Sequence, residues 1–96
     1  MSHQIKNNMR TVKNIIKDEV FISRCTSIYR ELRGSFDKDF DLSSSRIYEF
    51  SDGKREWVMM GRHNDVIGRW DSEPTDAQIN NAIVFRFNMN SRFIIK

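Results

Sequence analysis

The stretch that most directly decides the fold is residues 46–60, which read RIYEFSDGKREWVMM. Two runs rich in β-branched and aromatic residues flank the pair Asp52-Gly53. Such a pair is typical of a hairpin with a two-residue type I′ turn, because Gly and Asp tolerate the positive φ angles of that turn. In the register that this turn sets, Ile47 faces Val58, and Glu49 faces Glu56. The stretch therefore predicts an antiparallel hairpin.

A third strand is predicted directly after the hairpin. The polar turn 61–65 leads to the β-type run VIGRW at residues 66–70, whether His63-Asn64 or Asn64-Asp65 forms its tip. Both faces of the resulting meander carry apolar side chains, although an antiparallel sheet with one wet face alternates more cleanly. The second face is thus expected to be covered by a helix, the C-terminal segment or another molecule. The predicted faces hold Tyr48, Phe50, Trp57, Met59 and Trp70 on one side, and Ile47, Val58, Met60 and Ile67 on the other.

A long helix is predicted before the meander. Residues 8–33 contain neither Pro nor Gly, and Gly34 follows Arg30 and Arg33 as a helix-ending glycine follows last-turn cations. At about 100° per residue, the apolar stripe of this helix changes sides near residues 20–21. Either the helix bends and makes two contacts within one core, or one half contacts a second subunit or partner. The first stripe holds Ile5, Met9, Val12, Ile16 and Val20, and the second holds Phe21, Cys25, Ile28 and Leu32.

Positive charge is concentrated in the same third of the chain. Residues 1–34 carry seven basic against three acidic residues, a net charge of +4, whereas residues 35–96 carry nine against ten. Such a cationic ridge neutralises phosphates, and it is also typical of a solvated helix face. The residues expected to contact nucleic acid or another anionic partner are Lys6, Arg10, Lys13, Lys17 and Arg24 on the ridge, joined by Arg55, Arg62 and Arg69.

A second helix is predicted near the C-terminus. Thr75 and Gln78 have the spacing of a capping box, and the helix is expected to run from about Thr75 into the eighties. Residues 83–89 also alternate as a strand does, so their state stays open. Residues 92–95, Arg-Phe-Ile-Ile, are expected to form a short terminal strand or docking tail.

Several functional classes lack their usual sequence signals. Cys25 with His3 and His63 cannot complete a tetrahedral zinc site in one chain, and no nucleophile elbow, phosphate loop or zinc-protease motif is present. The alternating Asp residues of 37–41 have the rhythm of a calcium loop, but Leu42 and Tyr48 stand where such a loop needs Gly and Glu. We therefore expect no enzyme activity, metal or cofactor. The absence of an apolar run of about 18 residues or a signal-peptide core predicts a cytoplasmic protein that avoids membranes.

The order of three strands followed by a helix, over residues 46–87, is similar to that of plant AP2-type and integrase arm-binding DNA modules. The segment VIGRWDS at residues 66–72 also resembles the corner between the last strand and the helix in the AP2 type. Those modules place a polar sheet face in a DNA groove, where the predicted face here presents Ile47, Val58, Met60 and Ile67. The resemblance implies a topology only.

Together these patterns predict an α+β fold in a single domain, residues 1–96, with a long N-terminal helix, a three-stranded meander and a C-terminal helix. The predicted function is a non-enzymatic module that binds nucleic acid or a nucleoprotein through the basic helix face. The alternative is a self-associating protein-binding adaptor or inhibitor, of the kind that phages and mobile elements encode. Its expected partner interface is Phe21, Ile28, Leu32, Ile47, Val58, Met60 and Ile67.

Overall fold

The computed structural model describes residues 10–33 and 41–87. Within them the chain forms a four-stranded antiparallel sheet of order β1-β2-β3-β4 and two helices. The α+β class is therefore confirmed, with one more strand than the predicted meander. The elements are β1 (Val12–Ile16), α1 (Glu19–Arg33), β2 (Arg46–Phe50), β3 (Arg55–Met60), β4 (Val66–Trp70) and α2 (Asp76–Arg86).

The single long N-terminal helix is wrong, because its first half is strand β1. Val12, Ile15 and Ile16 are β-branched, and the strand pairs antiparallel with β2, so that Ile16 lies opposite Ile47. Asp18 then ends the extended segment, because its Oδ1 accepts hydrogen bonds from the N–H groups of residues 20 and 21 at 2.9 and 3.1 Å. The change of apolar side near residues 20–21 thus accompanies a change from strand to helix, and no helix bend is needed.

The core lies between the two helices and one face of the sheet. Phe21, Cys25 and Tyr29 follow one another at four-residue spacing along α1 and are buried. They meet Ile79 and Ile83 of α2, which are fully buried. The capping box predicted for α2 is confirmed: Thr75 Oγ1 accepts from the Gln78 N–H at 3.1 Å, and the Thr75 N–H donates to Gln78 Oε1 at 2.8 Å.

Both hairpins close with three-residue loops, so the predicted two-residue turns are wrong. The Phe50 N–H donates to the Lys54 carbonyl at 2.9 Å, and Gly53 has a φ of 89°. The second hairpin repeats this arrangement, with a 2.9 Å bond from the Gly61 N–H to the Asp65 carbonyl and a φ of 63° at Asn64. A type I turn followed by a residue with positive φ makes such loops. The third loop residue is therefore Gly in one hairpin and Asn in the other.

The extra loop residue shifts the β2–β3 register by one and exchanges the predicted side-chain pairs. Ile47 lies opposite Trp57 instead of Val58, and Glu49 lies opposite Arg55 instead of Glu56. The two glutamates are therefore not opposed. The helix-facing side of the sheet collects Ile16, Ile47, Trp57, Met59 and Trp70, all of which pack with the core.

Some predictions lie outside the described residues. These are Lys6, the stripe residues Ile5 and Met9, the aspartates at 37 and 39, residues 88–89, and the terminal strand or tail at 92–95. No helix within residues 10–33 and 41–87 is long and apolar enough to cross a bilayer.

Candidate binding surface

The side of the sheet that faces away from both helices is the candidate site, and we call it the helix-free face. Its membership follows from strand alternation, since neighbours along a strand point to opposite sides. Because Ile47 and Met59 pack with the helices, the residues next to them point away. The helix-free face consists of Val12, Ile15, Arg46, Tyr48, Phe50, Glu56, Val58, Met60 and Arg69, with Arg10 above it.

Two arginines flank a buried valine in one cross-strand row. Arg46 on β2 and Arg69 on β4 both lie opposite Val58 on β3, so their backbones are about 10 Å apart. Arg46 Nε donates to the Ser44 carbonyl at 2.7 Å. The side chain of Arg69 is 56% exposed, and its Nε lies 3.7 Å from Glu56 Oε2. The row therefore holds the guanidinium groups of Arg46 and Arg69, and the Arg69 group is paired with the Glu56 carboxylate.

The neighbouring row, about 7 Å away along the strands, presents apolar and aromatic surface. Ile15, Tyr48 and Glu56 lie opposite one another in this row. Ile15 is 55% exposed, and Tyr48 is half-buried with its ring 6.4 Å from the ring of Phe50. An exposed aliphatic side chain thus lies beside a half-buried ring on the same face.

A third arginine lies on the far side of this row. The guanidinium of Arg10 stacks over the ring of Phe50, with Cζ 3.8 Å from the ring centroid. Arg10 Nε lies 3.9 Å from Asp52 Oδ2, and the side chain remains 39% exposed. Arg10 therefore presents one flat guanidinium face outward, with a ring behind it and a carboxylate at its edge.

The predicted basic ridge does not form, because its residues belong to different elements. Arg10 precedes β1, and Lys13 lies at the irregularity in the pairing of β1 with β2. Lys17 follows β1, and its Nζ donates to the Ser43 carbonyl at 2.7 Å. Of the predicted ridge, Arg10 contributes to the helix-free face through its contact with the Phe50 ring.

Arg24, another predicted contact, connects the two helices. Its guanidinium donates to Asp76 Oδ1 at 2.9 and 3.1 Å, to Glu73 Oε2 at 3.3 Å and to the Pro74 carbonyl at 2.7 Å. Arg55 lies 3.4 Å from Glu49, and Arg62 is exposed in the turn after β3. Of the residues predicted outside the ridge, Arg69 alone belongs to the helix-free face.

The members of the predicted partner interface are divided between the core and the helix-free face. Phe21 and Ile47 are buried in the core, and the half-buried Ile28, Leu32 and Ile67 pack against it. Val58 and Met60 belong to the helix-free face but are themselves buried. Sequence reasoning missed Ile15, Arg46 and Tyr48 as surface residues. The signal was present in part, since strand alternation alone places Tyr48 and Arg46 on the side opposite Ile47. Moving the hairpin register by one residue then brings Trp57 and Met59 to the Ile47 side, where the core lies.

A second surface feature lies between α2 and β4. Phe85 is 88% exposed, and with Trp70 and Ile67 it lines an open groove of about 410 Å³. Gly68 makes room for the Trp70 ring and for the helix, because a Cβ on Gly68 would lie 2.6 Å from the Trp70 ring and 3.1 Å from the Cβ of Ala82. The groove therefore combines an edge strand with an exposed aromatic ring.

These surfaces offer charge and stacking contacts. Burial raises the pKa of the Cys25 thiol to about 12, so the thiol stays protonated near neutral pH. No group of three His, Cys, Asp or Glu side chains within residues 10–33 and 41–87 is placed to hold a metal ion.

Comparisons with protein-family models, with curated proteins and with solved structures gave no match.

Proposed function

We propose that the chain is a non-enzymatic module that binds nucleic acid through its helix-free face. The observation that supports this most strongly is the alternation of charge and ring across that face. Arg46 and Arg69 lie on one side of the Ile15–Tyr48 pair, and Arg10 lies on the other side, above Phe50.

Guanidinium groups suit this partner because they donate paired hydrogen bonds to phosphate oxygens and also stack on planar rings. Glu56 and Asp52 offset part of the positive charge. We therefore expect the modest affinity of non-specific binding, in the range of about 1–100 µM at physiological salt. If three arginines contact phosphates, the logarithm of the association constant falls with the logarithm of salt concentration with a slope of about −2 to −3.

The test is fluorescence anisotropy with labelled mixed-sequence DNA and RNA at several salt concentrations. Arg69→Gln removes a cation from the helix-free face, and Arg30→Gln removes one from the exposed side of α1 as the matched control. We expect Arg69→Gln to weaken binding about fivefold at low salt and to flatten the salt slope by about 0.7–1. Arg30→Gln should bind as the unaltered chain does.

Two results would refute this proposal. One is the absence of salt-dependent binding to either nucleic acid at low salt. The other is an equal loss of affinity in Arg69→Gln and Arg30→Gln, because binding would then depend on the overall charge of the chain and not on the helix-free face.

A second candidate function is protein binding by self-association, and Phe85 favours it. The Phe85 ring is 88% exposed, and together with Trp70 and Ile67 along the same groove it offers a joined apolar surface to a partner. Among the described residues, β4 is an outer strand of the sheet. Two copies of β4 pairing antiparallel would form a closed two-fold dimer, with the α2 helices of both copies side by side.

Light scattering coupled to size-exclusion chromatography tests this candidate. A dimer that Phe85→Ser converts to monomer would support it, provided that Val20→Ser leaves the dimer intact. Val20 is the matched control because it is 67% exposed on α1, away from the groove. A monomer at every concentration tested rules the candidate out.

A further inference from the structure

We infer that the nucleic acid bound by the helix-free face is single-stranded, with bases stacked on the Tyr48 ring and on the Arg10 guanidinium. This inference rests on the proposed function and specifies its partner class. Unpaired bases expose flat faces, whereas the bases of a duplex cover theirs by stacking on one another.

The width of the sheet argues against a duplex groove. Four strands span about 14 Å between the outer strand axes, and the major groove of B-DNA is about 12 Å wide. The fourth strand, β1, lies beside β2 and brings Ile15 onto the helix-free face. A three-stranded meander of the kind predicted from the sequence would be narrower, about 10 Å.

The exposed side chains fit base faces better than they fit phosphates alone. Ile15 and Val12 are 55% and 41% exposed, and Tyr48 lies between Ile15 and Glu56 in its row. A duplex presents phosphates to a sheet face, and phosphates gain nothing from apolar neighbours. Base stacking on aromatic side chains, by contrast, is a main source of affinity in single-strand binding proteins.

Arg10 is held in a conformation suited to stacking. The Phe50 ring covers one side of its guanidinium at 3.8 Å, and Asp52 lies at its edge. A base that stacks on the outer side would complete a sandwich of ring, guanidinium and base. Arg46 and Arg69, across the Tyr48 row, are then placed to contact the backbone of the same strand.

The experiment compares three labelled ligands: a twelve-nucleotide single-stranded DNA without self-complementarity, the single-stranded RNA of the same sequence, and the blunt duplex of that DNA with its complement. Anisotropy is measured at one low salt concentration. We expect both single strands to bind at least fivefold more tightly than the duplex. The ratio between DNA and RNA identifies the preferred strand.

Matched substitutions test the stacking contacts. Tyr48→Phe keeps the ring and should bind single strands within twofold of the unaltered chain, whereas Tyr48→Leu should bind about tenfold more weakly. Arg10→Lys keeps the charge but loses the flat face, and it should lose about threefold or more for single strands. Thermal unfolding curves confirm that each variant is folded. If a Tyr48 variant does not fold, the single-strand affinity of Arg10→Lys still tests the stacking contacts.

The outcomes separate the inference from the proposed function. If no ligand binds, the proposed function fails. If the duplex binds as tightly as the single strands, the proposed function stands and the inference fails. Equal single-strand affinities for Arg10→Lys and the unaltered chain, and for the two Tyr48 variants where both fold, would also overturn the inference, because binding would then depend on charge alone.

Discussion

At the scale of single residues, Arg24 shows how one side chain joins the two helices. Its guanidinium lies between α1 and the start of α2, where it donates to two carboxylates and to the Pro74 carbonyl. The carboxylate of Asp76 also lies in the first turn of α2, where negative charge is favourable. The Arg24 side chain therefore supplies hydrogen-bond donors to two carboxylates and one backbone carbonyl near the beginning of α2.

Arg24→Met should lower the free energy of unfolding by about 1–2 kcal/mol, because hydrogen bonds to charged partners are lost from a side chain that is only partly screened by solvent. Arg30→Met, on the exposed side of the same helix, should change it by less than about 0.5 kcal/mol. Urea unfolding measures both. Equal stabilities of the two variants would show that the bridge contributes nothing.

The nucleic-acid affinity of Arg24→Met should match that of the unaltered chain. Sequence reasoning placed Arg24 with the anionic-partner residues because it assumed one continuous helix. A charge count alone does not distinguish a cation that holds two elements together from one that waits for a ligand.

At the scale of elements, both hairpin loops depend on a residue with positive φ. No atom lies within 4 Å of a Cβ built on Gly53, whose φ is +89°, so backbone conformation alone opposes a side chain there. Gly53→Ala should therefore destabilise the protein by about 1 kcal/mol. Asn64→Gly, in the matching loop at φ 63°, should change stability by less than about 0.5 kcal/mol.

Chemical denaturation of the two variants checks this pair. If Gly53→Ala were as stable as the unaltered chain, the positive φ at Gly53 would be the wrong description of the first hairpin loop.

Strong local signals predicted the elements that depend on them. The capping box of Thr75 and Gln78 correctly placed the start of α2, and β-branched and aromatic runs correctly placed β2, β3 and β4. Strand β1 was missed because VKNII has an apolar spacing that suits a helix as well as an edge strand. Pairing with β2, a contact between distant parts of the sequence, decides between the two.

At the scale of the whole molecule, the candidate site was predictable only in kind. A basic surface with surplus apolar residues was expected, but its location depended on two long-range facts, the pairing of β1 and the hairpin register. A shift of one residue turns a strand's side chains to the other face. In the observed register, Trp57 and Met59 share a face with Ile47, and this face packs with the core. Tyr48 and Arg46 therefore lie on the helix-free face.

Acid should destabilise the molecule through three carboxylates. Hydrogen bonds from the Ser43 N–H, Asn14 and Arg86 lower the pKa values of Asp41, Glu49 and Asp65 respectively, from ordinary values of 3.8, 4.5 and 3.8. A group with a lowered pKa contributes stability that is complete above its unfolded pKa and is lost as pH falls through the folded pKa.

The free energy of unfolding should accordingly change little from these groups between about pH 7 and pH 5.5 and decline below about pH 4.5. Asp65→Asn should reduce stability at neutral pH, where its bond to Arg86 is strongest, and should make the acid decline shallower. Thermal melts at several pH values measure this. If the free energy of unfolding of Asp65→Asn fell with acid as steeply as that of the unaltered chain, Asp65 would not contribute to the acid destabilisation.

The most direct test of the central claim is a titration of ¹⁵N-labelled protein with a short single-stranded oligonucleotide, followed by two-dimensional NMR. The largest chemical-shift changes should fall on β1, on β2 and on the part of β4 that belongs to the helix-free face, with Ile15, Tyr48 and Arg69 prominent. Residues of the exposed side of α1 should hardly move. Shift changes confined to α1, or to the groove around Phe85, would contradict the assignment of the helix-free face as the nucleic-acid surface.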